Sequence, residues 1–164
     1  MKDYQRDRFI VFLNPNVDPL GAGYTIIQSK IAIGSGGFLG KGWLSGTQNQ
    51  LSFLPERHTD FIFSVIGEEW GFAGAVVLLL LYLWLIRKLI QVIQQTHDPY
   101  GRLLGVGITT MIVVHILVNI GMTCGMMPVV GLPLPLISYG GSNLLTIMIG
   151  LGLIVNIQLR RTIF

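Results

Sequence analysis

Three long apolar stretches, over residues 61–86, 103–127 and 143–159, constrain this chain more than anything else in it. A helix rises about 1.5 Å per residue and the bilayer core is about 30 Å thick, so roughly twenty apolar residues make a span. The first two stretches meet that length. The third is marginal and either begins nearer Tyr139 or lies short and packed. Hydrophobic residues make up 51% of the chain and charged ones 12%, which excludes an ordinary soluble domain. The abundant glycine fits the same solvent, because close backbone approach lets membrane helices pack. The fold class expected is an all-α integral membrane protein, a polytopic helical bundle with three transmembrane helices and a large extracytoplasmic loop.

Charge placement sets the expected topology. Arg87-Lys88, Arg102 and Arg160-Arg161 flank the spans on one side, whereas Gly125 to Asn143 contains no lysine or arginine. The positive-inside rule makes the first set cytoplasmic and the loop extracytoplasmic, and three spans then put residues 1–60 outside as well. That outer segment holds six of the eleven basic residues, against the rule, but long segments translocate largely regardless of charge. Its start resembles no secretory signal, and the chain reads as the C-terminal part of a longer membrane protein. The net charge of +3 is scattered, which disfavours nucleic acid and leaves membrane lipid as the partner surface.

In the outer segment, Tyr24, Ile27 and Ile31 share one face if residues 24–33 are helical. Such a short amphipathic helix lies either on the membrane surface or against the bundle. The glycine-rich run Gly34 to Gly42 reads as a flexible loop. It is no P-loop, since Ser35 stands where the first glycine belongs and Gly42 where the magnesium-binding hydroxyl belongs. Pro133 and Pro135 forbid a regular helix in the apolar outer loop 128–142, which should therefore re-enter the bundle, with Ser138 among its neutral donors. Cys124 is a packing residue. His58, His97 and His115 lack zinc-ligand spacing, and His115 with Asn119, four apart, suits interhelical hydrogen bonding.

The densest chemistry lies before the first span, in Glu56-Arg57-His58-Thr59-Asp60, followed by Glu68 and Glu69. Charge at a membrane boundary must be paired, hydrated or bound to a ligand. Asp60 serves either as a helix N-cap or as a reactive carboxylate; a helix start and Arg57 both favour its ionised form, which suits a cation ligand better than a base. Of Glu68 and Glu69, at most one shares its helical face. A boundary salt bridge and a role in the site both remain open for them.

The run from Phe53 to Glu69, containing Pro55-Glu56-Arg57-His58-Thr59-Asp60, and the run Gly131 to Ser142, containing Leu-Pro-Leu-Pro-Leu-Ile-Ser-Tyr-Gly-Gly, resemble the SEDS family of bacterial shape, elongation, division and sporulation proteins. Leu44 to His58 is similar to rod-shape members more than to division members, which commonly carry alanine at the position of Arg57. The resemblance implies a peptidoglycan glycosyltransferase of the bacterial cytoplasmic (inner) membrane that polymerises lipid II into glycan strands for cell elongation. It makes Asp60, on the extracytoplasmic face, the essential aspartate, acting as base or as ligand of a divalent cation (magnesium or manganese). Arg57, Lys41 and Lys30 then become candidates to neutralise the diphosphate, with Glu68, Glu69 and Ser138 as further candidate substrate contacts. The implied partners are lipid II, the lipid-linked strand and a class B penicillin-binding protein. A lipid II flippase and a non-catalytic scaffold for a cell-wall synthase are the rival readings, and a chain with so few helices is expected to be inactive alone.

Overall fold

The computed structural model describes residue 11 and residues 22–43, 45–46 and 59–161. Among the described residues, five helices follow one another: α1 (Ala22–Ser35), α2 (Ile62–Glu69), α3 (Gly71–Gln95), α4 (Pro99–Thr123) and α5 (Gly141–Arg161). The last three are long and apolar enough to cross a membrane. The chain is thus an all-helical, multi-pass membrane protein.

The first span is shorter at its start than expected. It begins at Gly71 instead of residue 61, because the preceding eight residues form the separate helix α2. Gly71 takes φ +66°, and a Cβ there would run into the Gly40 amide nitrogen. Only glycine turns the chain here at so close an approach. The second span is Pro99–Thr123 in place of 103–127, since Met126 and Met127 both turn back to donate to the Gly121 carbonyl. The third begins at Gly141, which gives it the length that the apolar run alone left marginal.

One buried cluster joins α2 through Phe63, α3 through Leu78, Tyr82 and Leu89, α4 through Ile112 and Ile116, the outer loop through Leu134, and α5 through Ile147 and Ile154. The spacing of four and seven along α3 keeps its three residues on one stripe. Between lipid-bathed helices such a cluster holds by close packing more than by the hydrophobic effect, because lipid tails are as apolar as leucine. Only 22%, 28% and 17% of the most apolar windows of α3, α4 and α5 are buried, so most of each span faces lipid or further helices.

α1 packs against α2 and α4. Its buried face runs through Ile26, Ser29 and Ala32, and not through Tyr24, Ile27 and Ile31, of which Ile31 is exposed. Small residues win the contact because they let backbones approach: Ser29 Oγ donates to the Thr123 carbonyl at 2.8 Å. At the opposite end of the bundle α3 and α4 are joined by a tight turn. Asp98 accepts from the amides of Tyr100 and Gly101, and Pro99 occupies the first turn, where its missing N–H costs nothing.

Candidate functional site

The glycine-rich run does not behave as a flexible loop. Residues 37–42 wedge into the break between α2 and α3 and serve the loose ends of both helices. The amides of Lys41 and Gly42 donate to the carbonyls of Glu68 and Glu69 at 3.0 and 3.1 Å, and the amides of Phe72 and Ala73 donate to those of Gly37 and Phe38 at 2.9 and 3.1 Å. A helix end buried without such partners would be costly in apolar surroundings. Around the wedge, Trp43 meets Trp70 edge-on at 5.9 Å and Phe38 lies 6.0 Å from Phe72, with all four rings exposed. That is the composition of an aromatic belt.

The wedge also delivers a charge. Lys41 Nζ lies 2.8 Å from Oε1 of Glu68, whose side chain is wholly buried, while Lys41 keeps 28% of its own exposure. Glu68 is thereby committed to an ion pair, and its neighbour Glu69 is buried as well. Lys30 is placed differently: its side chain lies over Gly125, which takes φ +69°, just past the end of α4. Beside it, burial pushes the Cys124 thiol up, more than the Thr123 hydrogen bond and the Lys30 charge pull it down. Such a thiol is a packing group and a poor nucleophile. Arg57 lies outside the described residues.

Asp60 sits in the turn that leads into α2, half-buried. It does not cap that helix. The N-cap residue is Phe61, and no side chain bonds the free amides there. What holds Asp60 is the far end of the chain. Asn119, fully buried one turn before the end of α4, donates through Nδ2 to the Asp60 carbonyl at 2.9 Å and to the Leu132 carbonyl at 2.7 Å. Ser138 Oγ donates to the Thr59 carbonyl at 2.5 Å and accepts from the Leu134 amide at 2.7 Å. The Ser138 hydroxyl, a candidate substrate contact by sequence, is thus taken up by main chain. The carboxylate itself rests against the outer loop: a Cβ on Gly131 would stand 3.2 Å from Asp60 Oδ2.

The outer loop is braced in turn. Tyr82 of α3 donates to the Pro135 carbonyl at 2.6 Å, Leu134 is fully buried, and Leu136 directly after them is held at φ +66°, a conformation costly for a bulky side chain. Among the described residues, no three His, Cys, Asp or Glu side chains gather where they could hold a metal ion.

The profile of the FtsW/RodA/SpoVE cell cycle proteins matches residues 1–163. The chain belongs to that family. It is 55% identical over 161 residues to the peptidoglycan glycosyltransferase MrdB of Escherichia coli K12, an alignment that covers 98% of this chain and 44% of MrdB. To the peptidoglycan glycosyltransferase RodA of Treponema pallidum it is 51% identical, covering 98% of this chain and 37% of that protein. Among solved structures, a chain of a peptidoglycan synthase complex that coordinates polymerisation and crosslinking superposes with a TM-score of 0.76 at 42% identity, covering 98% of this chain and 43% of its own length. The chain spans less than half the length of these family members.

Sequence reasoning missed Asn119 as part of this site, having read it with His115 as an interhelical contact. A signal existed. Asn119 is an amide one turn from the end of a largely apolar span, where loop carbonyls arrive without water to satisfy them.

Proposed function

We propose that this chain carries the reactive carboxylate of a peptidoglycan glycosyltransferase of the rod-shape type, and that Asp60 is the general base. A sugar hydroxyl of lipid II attacks the anomeric carbon of the lipid-linked strand. The new glycosidic C–O bond forms as the bond to the diphosphate breaks, the hydroxyl proton passes to Asp60, and the polyprenyl diphosphate departs with the bonding electrons. Lys30 and Arg57 are the candidates to meet that departing charge. The observation that carries the reading is the placement of Asp60: a carboxylate not spent on capping its helix, with its main chain pinned from two other elements, in a chain 55% identical to a peptidoglycan glycosyltransferase.

The reading extends to the surroundings. Asp60 would work on the extracytoplasmic face of the bacterial inner membrane, where a lipid-linked sugar lies, and the partner would be a class B penicillin-binding protein that crosslinks the product. Purified full-length protein in lipid nanodiscs, given lipid II, is expected to make glycan strands. Asp60→Ala should lower turnover by roughly 10²–10⁴, the usual contribution of a general base. Turnover unchanged by Asp60→Ala would remove the carboxylate from the mechanism.

A further inference from the structure

The geometry points to Asn119 as a positioning residue for Asp60, one that sets where the carboxylate stands through the main chain and not by touching substrate. The inference rests on the catalytic reading of Asp60 above. Asn119 is wholly buried, and one amide nitrogen serves two carbonyls of two different segments: that of Asp60 itself and that of Leu132. Two acceptors on one nitrogen also fix which end of the amide faces them, since only the NH2 group donates twice.

The choice of those two acceptors carries the inference. A bond to the Asp60 carbonyl fixes the peptide plane that follows the Asp60 Cα, and so the direction in which its Cα–Cβ bond leaves the chain. The second acceptor belongs to the residue after Gly131, and Gly131 is the residue against which the Asp60 carboxylate lies. One amide therefore locks together the main chain of the acid and the surface its carboxylate rests on. The Ser138 bond to the Thr59 carbonyl holds the preceding peptide, so both sides of the Asp60 residue are fixed.

A residue kept only to glue helices would bond helix to helix. Asn119 instead bonds to two carbonyls outside any helix, and its own Oδ1 is buried without a hydrogen-bond partner among the described residues. An orphaned buried acceptor is a standing cost that a leucine of similar volume would avoid. Catalytic groups need placement to about 0.5 Å, and a misplacement of about 1 Å can lower turnover about 10²-fold. A locked backbone at the reacting residue is worth that cost.

Three variants of the full-length protein in lipid nanodiscs test this, with lipid II as the probe: Asn119→Ala, Asp60→Ala and the pair combined, each checked for thermal stability. The expected result for Asn119→Ala is a fall in kcat of about 10–100-fold with KM within about twofold of the parent, and no further loss when it is added to Asp60→Ala. A parental kcat, or a raised KM with kcat unchanged, overturns the inference while Asp60→Ala remains inactive. Unchanged turnover in Asp60→Ala overturns the catalytic reading itself. Should Asn119→Ala not fold, Asn119→Asp, which keeps the shape and loses the NH2 donor, takes its place under the same criteria; failure of both to fold makes the amide a structural requirement and also overturns the inference.

Discussion

At the turn between α3 and α4 the chain satisfies its loose ends with what lies within a few residues: Asp98 accepts from the amides two and three positions on, and Thr96 Oγ1 donates to the Val92 carbonyl. At the other end of the same helices the partners come from far away. Lys41 reaches Glu68 across 27 positions, Asn119 reaches Asp60 across 59, Ser138 reaches Thr59 across 79 and Ser29 reaches Thr123 across 94. A turn that only reverses the chain can be written locally. If Asp60 acts as proposed, its turn needs an orientation fixed by elements that do not move with it, and distant bonds supply this.

The contrast can be broken most severely at the wedge. Gly71→Ala places a Cβ against the Gly40 backbone at a positive φ, so the joint between α2 and α3 must open. The expected loss is about 3 kcal/mol or more of stability, read as a collapse of the thermal melt of the detergent-solubilised protein. A melt like the parent's would mean that the wedge does not template the break.

Lys41→Met should come next. It keeps the side-chain length and removes the charge facing the buried Glu68, at a cost of about 3 kcal/mol, the lower end for breaking a buried pair because Lys41 retains some water. Adding Glu68→Gln should restore part of that stability, which a packing effect of Lys41 alone would not allow. Smallest is the local end: Asp98→Ala removes one cap and should cost about 1 kcal/mol, with hydrogen exchange speeding up only in the first turn of α4. Faster exchange near Asp60 in that variant would erase the distinction between the two ends.

The same contrast separates what could be read from the sequence from what could not. The three spans follow from length and apolarity, and Asp98-Pro99 announces the start of α4 by itself. Asp60 was singled out by the resemblance of its motif. The break at Trp70 was not legible, because Gly71 by itself does not announce a turn in an apolar run; the glycines about thirty positions earlier complete the joint, by fitting where no side chain could. The inward face of α1 was not marked by its apolar spacing, for a related reason. Apolar periodicity favours large residues such as Ile31, whereas contact between membrane helices favours small ones such as Ser29 and Ala32. Asn119 escaped because its partners are main-chain carbonyls, which leave no trace in residue identity.

The long reach of the Asn119 and Ser138 bonds also sets an order in time. A chain emerges from the ribosome N-terminus first, so the glycine wedge already exists when α3 arrives to receive it, whereas Asp60 waits for Asn119, made 59 positions later, and Thr59 for Ser138, made 79 positions later. Until Ser138 has been made, the main chain beside Asp60 is not pinned from that side. On the catalytic reading proposed for Asp60, the geometry around its carboxylate is therefore among the last things this chain acquires, and an incompletely made copy would carry the acid without the bonds that pin it.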